Sequence, residues 1–246
     1  LQAERRNAQD PTDIPDREFV NRYRLTKPAF QYLCQELSTK TSLKSSQRVS
    51  LEYKVLCALT FFATGSYQRL VGMAKHIGQT TVSKFVREVT LALNDPAIIN
   101  EFIKFPTTEA ERDIIKQKFY IQHGIPGVLG DSGYPQRPWL MTPIPDAAEG
   151  SPEANYTSIH GKARVCIENT FGRLKNRWRC VCKDRTLHYS PTTCAKIITA
   201  CCVLHNLAIK FSVPEPLDLD DSGESVHAGF SRNVVAHDIG SREDLI

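Results

Sequence analysis

Apolar residues in the first hundred positions of this chain recur with the spacing of α-helices, and that period constrains the fold more than any other feature. Phe30, Leu33, Cys34 and Leu37 fall at i, i+3, i+4 and i+7 behind Thr26 and Pro28, a cap-and-proline start. Leu51, Val55, Leu59 and Phe62 form a second stripe, and Gly65 offers its C-terminal stop. Tyr67 to about Lys75 reads as a short helix and Gly78 as a turn. Thr80 reads as the cap of a helix in which Val82, Phe85, Val86, Val89 and Leu93 share one face, closed by Asn94-Asp95-Pro96. Helix, short helix, glycine turn and helix is the order of a helix-turn-helix. The last helix would expose Thr81, Lys84, Arg87 and Glu88. That face suits a DNA groove through Lys84 and Arg87, or it is the wetted side of a plain helical hairpin.

Strand signals are sparse. Residues 105–120 read as a further helix capped by Thr107 or Thr108, with Ile114, Ile115 and Phe119 as its apolar positions. Two short apolar pieces, Gly127-Val128-Leu129 and Trp139-Leu140, flank a Gly-Asp-Ser-Gly turn. The proline-rich stretch 143–158 reads as loop, His160 to about Arg179 as a helix, and a buried helix starts near Pro191. The expected division is a disordered 1–16, a helical, helix-turn-helix-like 17–100, a core domain over 101–212, and an acidic, disordered tail over 213–246.

With 246 residues and 41% apolar content, the chain can bury one large or two small cores. No apolar run approaches the roughly 20 residues of a membrane span, and the polar N-terminus lacks the apolar stretch of a signal peptide. The eight cysteines form no CxxC pair and lie mostly within apolar patterns, as expected of reduced core thiols in an intracellular protein. Cys201 and His205 have an i, i+4 spacing, but a structural zinc site normally brings four ligands, so core packing is preferred there. Charge is segregated. Residues 161–190 hold eight Lys and Arg against Glu168 and Asp184, while residues 213–246 hold eight Asp and Glu against Arg232 and Arg242. The basic block suits a polyanionic partner.

Within that block, Ile167, Phe171, Leu174 and Trp178 fall at i, i+4, i+7 and i+11, the expected core stripe of a helix. Arg164, Glu168, Gly172, Lys175 and Arg179 form the neighbouring stripe, which places one carboxylate among cations. Glu168 is either half of an i, i+4 ion pair with Arg164 or a ligand to a divalent metal held against DNA phosphates. A metal needs further oxygens, and Asp131, in LGDSGYP at the end of a short apolar segment, is the candidate second ligand. Its alternative reading is an ordinary turn aspartate. The cations assigned to DNA are Lys84, Arg87, Arg164, Arg173, Lys175, Arg177 and Arg179. Trp178 and Phe171 are expected in the core, His160 and His188 at the surface, and His205 hydrogen-bonded within the core.

The segments GIPGV, LGDSGYPQRPWLMTP, EANYTSIHGKARVCIENTFGRLKNRWRCV and CCVLHNLAI, in that order, closely resemble the PIF/Harbinger transposase superfamily, and in particular its domesticated animal nucleases. The likeness runs from about Tyr23 to Ile209. It implies a ribonuclease-H-like α/β core with a DDE-type site, in which acidic residues hold Mg²⁺ or Mn²⁺ to activate water and steady the leaving oxygen of a phosphodiester. The family's aspartate in GDSGYP matches Asp131, and its glutamate in IE-FGxLK matches Glu168. The resemblance also implies DNA as partner, a Myb-like protein that supplies much of the DNA binding, and location in the nucleus as well as the cytoplasm.

The chain departs from the family in one respect. There, GIPGV leads into a strand carrying an Asp-Gly-Thr-His motif, which supplies the first catalytic aspartate, and a PGSxHDS-like segment follows. Here GIPGV runs straight into LGDSGYP. Several tens of residues are expected to be missing at the Val128–Leu129 join, together with the central strands of the sheet. The fold expected is therefore a mostly helical remnant of an α/β core behind an all-α region. Its function would be that of a nuclease impaired by the gap, or of an inactive protein that binds DNA or a partner.

Overall fold

The computed structural model describes residues 13–69, 71, 77–125, 128–137, 140–185 and 187–216. The chain forms two compact units. One gathers the residues up to Lys104 together with those from Asn176 onward, and the other comprises Phe105–Lys175. The expected disorder of 1–16 and of the acidic tail falls largely outside the described residues, although Asp16 already opens a helix and Val213 is buried.

Among the described residues the regular structure of the first unit is all helical. α1 (Asp16–Tyr23) and α2 (Lys27–Lys40) meet through Phe19, Tyr23 and Phe30, with the Phe19 and Tyr23 ring centroids 4.8 Å apart. Thr26 caps α2 as its sequence position suggests, accepting from the Ala29 N–H at 3.4 Å. α3 (Leu51–Thr64) is the central helix. Ten of its residues are buried, so the single stripe read from sequence understates its burial. Each large side chain among them contributes about 1.5–3 kcal/mol. Gly65 ends α3 in the left-handed conformation (φ 62°), with its N–H bonded to Phe61 O.

α4 (Gln79–Leu93) packs on α3 through Val82, Phe85, Val86, Val89 and Leu93. Its N-cap is Gly78, which offers no side-chain hydrogen bond, so Thr80 lies inside the helix and is not its cap. The short helix expected between Tyr67 and Lys75 falls mostly outside the described residues. α5 (Pro96–Phe102) was not anticipated. Asp95 caps it by accepting from Ala97 N–H at 2.9 Å, and Pro96 occupies the first turn, so Asn94-Asp95-Pro96 closes one helix and opens the next.

α8 (Pro191–Lys210) completes this unit against α4 and α5. Among the described residues it is the one helix long and apolar enough to cross a membrane by composition, contrary to the expectation of no such run. Ile197, Ala200, Cys201, Val203, Leu204 and Leu207 bury one side of it in the helical core. All eight cysteines are free. The Cys180 and Cys201 sulfurs sit 3.5 Å apart as two buried thiols.

The second unit has little core. α6 (Glu109–His123) opens with a capping box between Thr108 and Glu111, yet it buries none of its residues. β1 (Val128–Leu129) and β2 (Leu140–Met141) pair in parallel, Val128 opposite Leu140 and Leu129 opposite Met141, and form a two-stranded sheet. β1 thus spans the join where the missing segment was expected. α7 (Pro152–Arg177) begins well before His160. Ser151 Oγ accepts from Ala154 N–H at 3.1 Å and Pro152 sits in the first turn, so part of the stretch read as loop is a capped helix start. Two 3-10 turns, Arg179–Val181 and Lys183–Arg185, link α7 to α8.

Candidate metal and nucleic-acid site

Asp131 follows β1 directly. Gly130 N–H bonds to Met141 O at 2.8 Å, and a β-carbon on Gly130 would come within 3.1 Å of Leu140 Cδ1, so close packing on β2 favours glycine there. The chain then turns. Asp131 Oδ1 accepts from Gly133 N–H at 2.9 Å, and Asp131 O accepts from Tyr134 N–H at 3.1 Å. The carboxylate is exposed and caps its own turn, the geometry of a turn aspartate. Arg137 and Leu140 exchange two backbone hydrogen bonds of 3.0 Å to close the loop.

The first half of α7 is fixed to the segment after β2 by polar contacts. Tyr156 Oη donates to Thr142 O at 3.0 Å, and Thr157 Oγ1 accepts from Ile144 N–H at 3.1 Å. His160 was expected at the surface but is 1% exposed, because its Nε2 donates to Met141 O at 3.1 Å. Further along α7 the expected core stripe divides. Leu174 and Trp178 are buried, whereas Ile167 and Phe171 are 44% and 52% exposed. Those two positions lie in the second unit.

Glu168 projects from this stretch with its side chain 58% exposed, 3.4 Å from Arg164 Nη2. An exposed i, i+4 pair of this kind is worth a few tenths of a kcal/mol. Gly172, one turn on, leaves open space beside it. Each candidate metal ligand therefore has a local partner. Among the described residues no group of three or more His, Cys, Asp or Glu side chains converges to hold an ion. A two-metal centre requires several converging oxygens, and this donor set does not fit one.

The candidate DNA cations divide in the same way. Arg177 is 4% exposed, and its guanidinium donates to the carbonyl oxygens of Arg24, Pro214 and Val213 at 3.1–3.3 Å. It is a structural clasp, withdrawn from any phosphate. Lys84 is exposed on α4, with Glu88 3.8 Å away. Glu88 also clamps the buried Lys54 of α3 at 2.8 Å, so it serves helix packing and not an open recognition face. Arg87, Arg173 and Lys175 are exposed, and Arg179 is half-buried.

A family model described as DDE superfamily endonuclease matches residues 108–206. The HARBI1 protein of Mus musculus is 27% identical, over 87% of this chain and 86% of its own length. The HARBI1 protein of Homo sapiens is 28% identical, over 80% and 79%. Protein ALP1-like of Arabidopsis thaliana is 32% identical over 38% of this chain and 22% of its own length. No solved structure matches. Residues 108–206 are thus similar to DDE-type endonucleases, and the longer likeness is to the HARBI1 proteins. The chain resembles the PIF/Harbinger-related proteins that the motifs from Gly124 to Ile209 point to. The alignment with the Mus musculus protein runs over 303 positions, more than the 246 residues of the entire chain, so that relative carries residues with no counterpart here.

Proposed function

We propose that this chain is a Harbinger-derived DNA-associating protein in which metal-dependent phosphodiester cleavage is impaired. The observation that carries this reading is the state of its two family carboxylates: Asp131 caps its own turn, Glu168 pairs with Arg164, and no third donor joins them among the described residues. Asp131 and Glu168 would be the ligands of any Mg²⁺ or Mn²⁺ the chain holds, and two exposed carboxylates hold such an ion weakly. The exposed cations Arg87, Arg173 and Lys175 support association with a phosphate backbone. The likeness to a DDE superfamily endonuclease supports DNA as the partner class. A Myb-like companion and a nuclear location are part of the same proposal.

The test is calorimetric titration of Mn²⁺ into the full chain, its Asp131→Ala variant and its Glu168→Ala variant, alongside nicking of supercoiled plasmid. The expected result is no saturable binding and no nicking above the level of the variants. Stoichiometric Mn²⁺ binding lost in both variants, together with nicking by the parent chain alone, would overturn the proposal.

A further inference from the structure

Two concave sites in the helical unit share a wall, and neither belongs to the Asp131–Glu168 region. The first, about 380 Å³, mixes aromatic rings with polar groups, among them Tyr67, His188, Tyr189, Gln79 and Arg185. The second, about 450 Å³, lies between α4 and α8 and carries Arg87 and Lys196 beside Val86, Thr90 and Ile197. Gln68 and Tyr189 line both. They form the partition, with Gln68 Nε2 donating to Tyr189 Oη at 2.7 Å. No carboxylate is among the described residues lining either site. Neither Arg87, Lys196 nor Arg185 makes an ion pair among the described residues. Both volumes lie within the 300–1,000 Å³ of ligand pockets.

We propose that these paired sites form a trough for single-stranded nucleic acid. An unstacked base lies against Tyr67 and Tyr189 in the first site, and the adjoining phosphates meet Arg87 and Lys196 in the second. Aromatic rings in one site and two cations on the wall of the other match the two halves of a nucleotide, a flat face and an anion. Stacking platforms interleaved with cations are how proteins hold single strands without reading sequence. A duplex is a less suitable occupant, because its bases are paired and stacked and are not free to lie against the rings. Tyr67 is 72% exposed, so its ring is available for stacking.

Position in the fold explains why this site forms. Gly65 turns the chain out of α3 so closely that a β-carbon there would lie 3.0 Å from Arg179 O, Cys180 Cα and Arg185 Cγ. That close approach brings Arg185 and the following residues to the C-terminal end of α3, where Gln68 meets Tyr189. The contact joins residues 121 positions apart in sequence, which is why no local motif announces it.

The inference rests on the DNA-binding reading above, and the test separates the two. A short fluorescein-labelled single strand and its duplex are titrated with the full chain, measured by anisotropy across a salt series. The same is done with Tyr67→Ala, Lys196→Ala, and the pair Arg173→Ala with Lys175→Ala, each checked for an unchanged melting profile. The trough predicts that the single strand binds more tightly than the duplex. Tyr67→Ala should weaken it at least about fivefold. Lys196→Ala should lower the salt dependence by about one phosphate contact. Single-strand binding untouched by Tyr67→Ala and Lys196→Ala but lost in the Arg173/Lys175 variant overturns the trough and leaves DNA binding standing. Duplex binding at least as tight as single-strand binding also overturns it. No binding of either probe at low salt overturns both.

Discussion

Arg177 donates to the carbonyl oxygen of Val213 at 3.1 Å across 36 positions of sequence, and its guanidinium also holds Arg24 O and Pro214 O. The basic character of residues 163–179 therefore has two origins. Arg173 and Lys175 are exposed charges, while Arg177 is a buried tie between the end of α1, the end of α7 and the segment after α8. Arg24 itself adopts a left-handed conformation at the end of α1 (φ 61°), and its carbonyl is one of the three that Arg177 satisfies. Arg177→Met should cost about 2–4 kcal/mol, because carbonyls that now bond a charged donor are left without it. Urea unfolding measures this. A variant that unfolds like the parent but loses DNA binding would return Arg177 to the phosphate-binding group.

Gly65 provides a second stability prediction. Its φ of 62° is costly for any residue with a β-carbon, and the atoms that carbon would meet include backbone, Arg179 O and Cys180 Cα, both at 3.0 Å. Neither can swing aside as a flexible side chain would. Gly65→Ala should destabilise the helical unit by about 1–3 kcal/mol. Denaturant midpoints compare the two proteins, and an unchanged midpoint would mean that the close approach is absent.

Acid sensitivity should centre on Glu101. Tyr32 Oη donates to one of its oxygens and Lys40 Nζ to the other, each at 2.5 Å, tying α2 to α5. Partial burial works to raise this carboxyl, but the hydrogen bonds from Lys40 and Tyr32, with Glu36 alongside, outweigh it and hold the group at about 2, below its usual 4.5. A depressed carboxylate stabilises the folded state fully above its unfolded value, and that contribution is lost as pH falls towards the folded value. The window is therefore from about 4.5 down to about 2. After allowance for solvent screening the effect is roughly 1 kcal/mol. Glu101→Gln should flatten the fall in stability over that window, and an equal acid loss in parent and variant would assign it to other carboxylates.

The thiols supply a chemical readout of the same core. Cys166 is exposed on α7, whereas Cys34, Cys57, Cys180 and Cys201 are buried. Burial pushes the Cys34 thiol up to about 12, with Glu52 adding to the shift, so the reactive thiolate is scarce there at neutral pH. A thiol reagent should modify Cys166 within the first phase, and the four buried residues only after denaturant is added. Rapid modification of all eight in the native chain would contradict the helical core.

Much of the helical unit was legible in sequence because its signals are local. Thr26 before Pro28, Gly65 after the apolar run and the Pro191 helix start all act within one turn of the residues that reveal them. Asp95-Pro96 and Ser151-Pro152 carried equally local signals, but proline read as a breaker conceals a helix start. The failures of burial have a different cause. Ile167 and Phe171 follow a core-facing period, yet both are exposed. A helical stripe records what a helix would pack against in a complete core. Among the described residues of this chain that packing is not present at Ile167 and Phe171. Asp131 and Glu168 are legible by motif, but among the described residues no further donor joins them. Arg177 was misassigned because charge in a sequence does not reveal whether three distant carbonyls will surround it.

α6 gives the clearest test of that argument. It has a well-formed capping box and an apolar set of Ile114, Ile115, Tyr120 and Ile121, yet each of these is more than half exposed, Ile121 at 76%. Removing apolar surface that is already in water should cost little. Ile114→Lys and Ile121→Lys, one face of the helix at i and i+7, should alone or together leave the unfolding midpoint within about 0.5 kcal/mol of the parent, as for surface substitutions elsewhere. They should also reduce binding of a hydrophobic dye and the concentration-dependent light scattering that contiguous exposed apolar surface promotes. A loss above about 2 kcal/mol would be the signature of a buried site and would mean that this face is covered in the folded chain. With stability unchanged and scattering reduced, the helix would stand as an apolar face left without its partner by the shortening of the core.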